Sequence, residues 1–483
     1  MVATISPPLT SSSQFISSEK LNEWTLLGGE PLKDTPLCAT MEIHELKNAP
    51  IMTRDAFSRC ESSTTQYGVL GRVLGCYSKK EISTFQDSRV YLNTNTPMSA
   101  LVCGVQGSGK SHTVSVILEN MFISSSLLGT LAKPLSGLVL HFGEGGPGSG
   151  PCEAAWIGVS NHSSIKAPPV KIYVSNSSLN TMKGVYAPLT QKGNVTVAPL
   201  LFNESELDAE AFLSLMAVGS SDNAPLYIQT ILSILRELGE SFSYQAFMTA
   251  LELKKKTFNP AQLAGVEQRL SLLNSFMAGK KTKKLRWEAS TERKCRFSPG
   301  ELTIIDLSDP FIDPASACGL FEVLTRLFVR ADVGTGKVLV VDEAHKYLSS
   351  SQHPSGFTKA LLSLTRQQRH LAMRVIISTQ EPTVVNPVLL DLCTVTILHR
   401  FSSPAWWSHL EKHVSAEFSD NDAFDKVVRL QTGEAIILAP SGLATFTSNT
   451  NEHNVGQIGR RYLIVKTRKR VTVDGGASIR VVD

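Results

Sequence analysis

The sequence predicts an α/β fold: a mostly parallel sheet with helices on both faces, interrupted by an inserted helical subdomain. Three observations lead there. Residues 98–113, MSALVCGVQGSGKSHT, read as a short apolar strand, a glycine-rich loop and the start of a helix. Residues 337–345, KVLVVDEAH, are a continuous apolar run ending in two carboxylates, the pattern of a strand buried on both faces. Between Glu204 and Met277, four successive segments carry apolar residues at three- and four-residue steps, as helices do.

The glycine-rich loop explains its own composition. Gly104, Gly107 and Gly109 let the backbone curl so that successive N–H groups, including those of Ser108 and His112, point at a phosphate chain. Lys110 places an ammonium against the β- and γ-phosphates, and the Ser111 hydroxyl is a ligand for Mg²⁺. The helix that follows turns its positive dipole end toward the same anion. A plain turn between strand and helix does not call for lysine and then serine. The expected ligands are therefore ATP and Mg²⁺.

In chain order, residues 1–36 are rich in Ser, Thr and Pro and read as a disordered leader. Residues 37–94 hold short alternating runs such as YGVLGRVLGCY and suggest a small β-rich piece. The first part of the core spans 95–203, with further strands at GLVLHF (137–142), KIYV (171–174) and 195–202. GEGGPGSGP (143–151) reads as a flexible loop, since no helix with a Lys-Ser start follows it. The helical insertion takes up 204–300 and ends in a basic stretch. There Lys280, Lys281, Lys283, Lys284 and Arg286 flank Trp287, a composition able to track a phosphate backbone but equally that of a solvated loop. The core resumes over 301–442, and 443–483 reads as a C-terminal tail.

The acidic pair supplies the other half of the chemistry. Asp342 is placed to hold the Mg²⁺ shell opposite Ser111, and Glu343 to polarise an attacking water. The next strand, RVIISTQ, ends in Gln380, which can sense a γ-phosphate or orient the water. Arg366 and Arg369 precede that strand and, in a ring, have reason to face a neighbouring subunit's nucleotide, a task for a fixed charge; either reads equally as a surface arginine. The letters DEAH invite comparison with superfamily-two RNA helicases. That class needs a second core domain with its own arginine-rich motif, and only about 140 residues follow here.

Composition sets the outer bounds. With 42% hydrophobic residues, 19% charged residues and a net charge of +4 over 483 positions, the chain is an ordinary globular one, and any nucleic-acid surface has to be local. Eight scattered cysteines without a C-x-x-C pair argue against a disulfide framework and fit a reducing compartment. Neither a secretory signal nor an 18-residue apolar span is legible, so the expected location is cytoplasmic or nuclear, without membrane insertion.

Together, GVQGSGKS, VLVVDEAHKYL, RQQRHLAMRVIISTQEP and the VTILHRF strand resemble the HerA/FtsK branch of P-loop ATPases, over roughly residues 95–442. The 232 residues between Lys110 and Asp342 are also like that family, which carries a helical insertion there. The resemblance implies a RecA-like P-loop NTPase fold, ATP hydrolysis, and a homo-oligomer, a hexameric ring among the options, that moves DNA. Carried over by position, it gives Lys110 and Ser111 to phosphate and metal, Asp342 and Glu343 to metal and water, and Gln380 to sensing. Arg369, eleven residues before that glutamine, falls where the family places its trans-acting arginine. Arg-His at 369–370 departs from a common Gly-Arg-Lys triplet, and no HAS-type barrel pattern precedes the core. The alternative is a nucleotide-gated interaction switch with slow or no hydrolysis, which the near-neutral charge favours.

Overall fold

The computed structural model describes residues 43–60, 65–79, 82–216, 226–278, 296–348, 355–414, 416, 422–447 and 453–476. Along them run seventeen strands. They are β1 (Ile51–Thr53), β2 (Tyr67–Tyr77), β3 (Ile82–Ser83), β4 (Arg89–Asn93), β5 (Met98–Cys103), β6 (Gly129–Thr130), β7 (Ser136–His141), β8 (Val170–Val174) and β9 (Val195–Pro199), followed by β10 (Leu302–Asp306), β11 (Lys337–Val341), β12 (Met373–Thr379), β13 (Val395–Leu398), β14 (Glu434–Leu438), β15 (Leu443–Thr447), β16 (His453–Gln457) and β17 (Tyr462–Thr467).

All belong to one sheet. Its first half is wholly parallel, in the order β9–β8–β10–β7–β11–β12–β5–β13. The expected RecA-like core is this half. β12 lies between the strand that ends at the acidic pair and the strand that ends at the glycine loop.

Period-two alternation shows that both faces are covered. Leu101, Cys103, Leu339, Val341, Val375 and Ile377 point into one core, and Ala100, Val102, Val338, Val340 and Ile376 into the other. On the second face lie α3 (Lys110–Phe122), α4 (Leu179–Val185) and α5 (Ala187–Lys192), after the short N-terminal α1 (Ile43–Asn48) and α2 (Arg54–Cys60). The first face carries α6 (Ala209–Met216), α7 (Leu226–Leu238), α8 (Tyr244–Lys255), α9 (Pro260–Ser275), α10 (Pro314–Arg330), α11 (Gly356–Gln367), α12 (Pro387–Asp391), α13 (Pro404–Glu411) and α14 (Asp422–Arg429).

Helices α6–α9 are the expected insertion. The chain leaves the sheet at Phe202 and returns at Met277, and the two ends are pinned by Phe202 N–H donating to Phe276 O (2.7 Å) and Ala278 N–H to Phe202 O (3.0 Å). Apolar residues of these helices, among them Phe212, Ile231 and Phe247, share one core with the sheet. The insertion is thus a layer on the core. The basic stretch that follows it lies outside the described residues.

Two expectations are corrected. Residues 443–467 are not a tail: β15, β16 and β17 are sheet strands, and β17 pairs with both β14 and β2. The segment 37–94 is not a separate piece either, because β2, β4 and β1 continue the same sheet through β17. This second half is mostly antiparallel, beginning at β13–β14. The misreading is physical in origin. The pairings that join these strands to the sheet, β17 with β2 and β1 with β15, link segments hundreds of residues apart.

After β17 the chain crosses α3 and neutralises a carboxylate there. Glu119 is fully buried. One of its oxygens accepts from Arg468 Nη1 (2.6 Å), and the other from the backbone N–H of Val471 and Thr472 (3.0 and 2.9 Å) and the Thr472 hydroxyl (2.6 Å). Arg470, also buried, stands 4.0 Å from the same carboxylate and pairs with Glu153. Removing one member of such a network strands the rest without compensation. Glu119→Ala is therefore expected to cost about 3–5 kcal/mol in urea unfolding, whereas an exposed control such as Glu252→Ala stays within about 0.5 kcal/mol.

Candidate functional site

The chemistry predicted from motifs gathers at the carboxyl edge of the parallel strands, where β7, β11, β12 and β5 end side by side. Gly104 to Gly109 link β5 to α3, and Lys110 opens that helix. Gly109 has φ +112°, and a Cβ there would lie 2.9 Å from the backbone of Gly433. Gly104 has φ +152°, and its Cβ would lie 2.7 Å from His399. Only glycine meets both demands. The loop is fastened from below by Val105 N–H to Arg400 O and by Gly433 N–H to Ser108 O (both 3.0 Å), while the Ser108 hydroxyl donates to Val105 O (2.7 Å).

Lys110 is 4% exposed, and its ammonium donates to Val105 O (3.0 Å) across the loop. Burial pulls its pKa down, and the charges of Glu343 and Asp342 oppose that pull. Lys110 and the acidic pair, 232 residues apart in sequence, stand at the same edge because β5 and β11 run parallel on either side of β12. Ser111 is half-buried on the first turn of α3. His112 differs from expectation in its side chain, which turns to the C-terminal segment: Nε2 faces Arg468 O (2.8 Å) and Nδ1 faces Asp474 (3.2 Å). The adjacent Thr113 hydroxyl meets that of Thr467 (3.0 Å).

Asp342 follows β11 and is buried. Its Oδ2 accepts from His141 Nδ1 (3.0 Å), and the Ser378 side chain is a second partner. Burial alone raises a carboxyl pKa. Here the His141 bond and charge outweigh it, and the Asp342 pKa lies below the usual value. Glu343 stands in the left-handed region at φ 49°, a conformation costly for a side-chain-bearing residue, and this kink turns the carboxylate toward β12. There Gln380 Nε2 donates to Glu343 Oε2 (2.9 Å), and His345 Nε2 lies 3.4 Å from the same oxygen. The side chain of Gln380, expected to sense a γ-phosphate or orient the water, is thus bonded to Glu343.

Arg369 is exposed and sits in the turn between α11 and β12, at the amino edge of the sheet. The seven residues of β12 separate it from Gln380, roughly 23 Å of extended chain. It is out of reach of its own glycine loop. Lys280, Lys281, Lys283, Lys284 and Arg286 lie outside the described residues.

The donor set fits magnesium and a triphosphate: backbone N–H groups in a glycine cradle, a buried lysine, a serine hydroxyl and two carboxylates. Sequence reasoning missed His141, His399, Gly433 and the segment 467–474. His141 had a faint signal as the one polar residue closing an apolar strand. Gly433 had none.

The chain matches no protein-family model and no curated protein. It is similar to solved structures that include VirB4 of Thermoanaerobacter pseudethanolicus, at 13% identity over 83% of this chain and 96% of that one, with a TM-score of 0.43. A bacterial conjugative coupling protein, TrwBdeltaN70, aligns at 12% identity over 78% and 87%, with a TM-score of 0.41. The genome packaging NTPase B204 from Sulfolobus turreted icosahedral virus 2, in complex with ATP-gammaS, aligns at 11% identity over 76% and 98%, with a TM-score of 0.30. Likenesses this remote carry no argument about what this chain does.

His399 gives the stability of the fold a dependence on pH. It is fully buried under Gly104, and Nδ1 faces Glu434 O (3.0 Å). Burial, opposed by that carbonyl and reinforced by Lys110 and His112, depresses its pKa to about 3. The unfolded chain binds this proton below about pH 6.5, and the folded chain refuses it until about pH 3. The stability this group contributes is whole above pH 6.5 and drains as pH falls, by at most about 1.4 kcal/mol per unit. Between pH 6.5 and 4, urea midpoints of His399→Gln are expected to fall less steeply than those of wild type; parallel curves would contradict the assignment.

Proposed function

We propose that this chain is a Mg²⁺-dependent ATP hydrolase, completed by an arginine from a second copy, that works as a ring-forming motor on DNA. The observation that carries the hydrolase is that the strand leading to the glycine loop and Lys110 and the strand leading to Asp342 and Glu343 end at one sheet edge, flanking β12. The glycine cradle and Lys110 bind and orient the phosphates, and the lysine exchanges its bond to Val105 O for one to phosphate oxygen. Ser111 and Asp342 would hold Mg²⁺, which would neutralise phosphate charge. Glu343 accepts a proton from the attacking water as it turns toward the γ-phosphorus. Gln380, bonded to Glu343, fixes the direction of that carboxylate and senses the terminal phosphate.

Arg369 faces solvent at the opposite edge of the sheet, so any role in catalysis lies in a neighbour's site. The two variants Glu343→Gln and Arg369→Ala separate these parts. Glu343→Gln is expected to keep ATP binding and lose hydrolysis by about 100-fold or more, the usual size of a general-base contribution. Arg369→Ala alone and Lys110→Ala alone are each expected to be inactive, and their mixture to recover turnover. Recovery arises because one supplies the arginine and the other an intact loop. Wild-type turnover by Arg369→Ala alone would sink the shared site.

The DNA part rests on the sequence resemblance to the HerA/FtsK branch. Its check is ATP turnover with and without duplex or single-stranded DNA, across a salt series. Stimulation that weakens steeply with salt is expected of a motor. Turnover indifferent to DNA would leave the nucleotide-gated switch.

A further inference from the structure

Beside the phosphate site lies a group of side chains that phosphate chemistry does not require. His141 closes β7, Asp342 follows the neighbouring β11, and Cys152 lies just past the glycine-rich loop 143–151. Parallel register sets Leu140 beside Val341, so the next residues on the two strands, His141 and Asp342, emerge together at the edge. Cys152 is held in place by its own backbone: its N–H donates to the Tyr186 hydroxyl (3.0 Å), which donates to Asp306 (2.6 Å). His141 Nδ1 lies 3.0 Å and Cys152 Sγ 4.0 Å from Asp342 Oδ2, and the ligand atoms of the three residues lie within 4.8 Å of one another.

Nitrogen, sulfur and oxygen at these separations are what a tetrahedral zinc ion asks for. Bonds of about 2.0–2.3 Å place neighbouring ligand atoms roughly 3.3–3.8 Å apart, so the present spacing needs adjustments under about 1 Å. We propose that His141, Cys152 and Asp342 form a Zn²⁺ site, and that its occupation silences ATP hydrolysis by taking Asp342 away from Mg²⁺. Thiolate and imidazole are soft and borderline donors that Mg²⁺ does not accept, so the site tells the two cations apart. Thiolate and carboxylate together cancel the charge of the ion, which makes burial tolerable. The thiol proton leaves to solvent as the Zn–S bond forms. Three protein ligands leave a fourth position for water. Entry is from the side of residues 143–151, which are mostly half-buried or exposed.

The binding half of this inference is independent of the hydrolase reading; the regulatory half rests on it. Cobalt(II) is therefore the first probe, added to the full-length protein without nucleotide after treatment with a chelator. Wild type is expected to develop thiolate-to-cobalt charge-transfer absorption and tetrahedral d–d bands that zinc displaces. Cys152→Ser is expected to lose the charge-transfer absorption, and His141→Gln to bind cobalt at least tenfold more weakly. Unaltered melting temperatures in either variant keep the comparison valid. Identical cobalt spectra in wild type and both variants would overturn the site. For regulation, ATP turnover at excess Mg²⁺ is titrated with zinc, each protein normalised to its own zinc-free rate. Half-inhibition of wild type at a zinc concentration at least tenfold below that of Cys152→Ser supports it. Equal sensitivity, or cobalt binding with zinc-indifferent hydrolysis, overturns the regulatory half. A wild type that binds cobalt but never hydrolyses ATP refutes the hydrolase, not the metal site.

Discussion

Parallel pairing is the constraint on which the rest depends. Strands that run the same way end at the same edge, and β7, β11, β12 and β5 are locked in register by their backbone bonds. Every residue placed just beyond a strand end therefore enters the same small volume. His141 meets Asp342 and Gln380 meets Glu343 for that reason, at the edge where the loop leading to Lys110 also begins. The buried Val, Ile and Leu of those strands, alternating between two cores, are what hold the edge straight.

On that edge, the polar groups are arranged as a relay of supports. Asp342 is oriented by His141 and Ser378, Glu343 by its left-handed backbone and by Gln380, and the loop by Gly433 and His399. Few of these supports could touch a substrate. They hold the few that can in geometries that solvent alone would not keep. Arg369, pointing outward at the far edge, is the exception.

Much of the site was legible because its residues are local. The glycine loop, the acidic pair and the glutamine each sit within a few residues of a strand end, and spacing alone placed them. The parallel half of the sheet was legible for the same reason: its strands are continuous apolar runs. The antiparallel half was not. YLIVKT in β17 resembles an ordinary amphipathic tail until β2 and β14 are known to flank it. Glu119 reads as a solvent-facing helix residue beside Asn120, and only Arg468 and Thr472, some 350 positions later, show that it is interior. Burial of a charge is a property of its partners, and partners distant in sequence leave no mark on local pattern.

That distance matters for how the protein is made. Synthesis is vectorial, and α3 emerges more than 300 residues before the segment that neutralises its buried carboxylate. While the chain is growing, the phosphate loop has its strand and its helix but neither Gly433 beneath it nor Arg468 across it. Contacts of such long sequence separation form late and slowly. The supports that Gly433 gives the glycine loop and Arg468 gives α3 are thus withheld from the nascent polypeptide until the strands that carry them have been made.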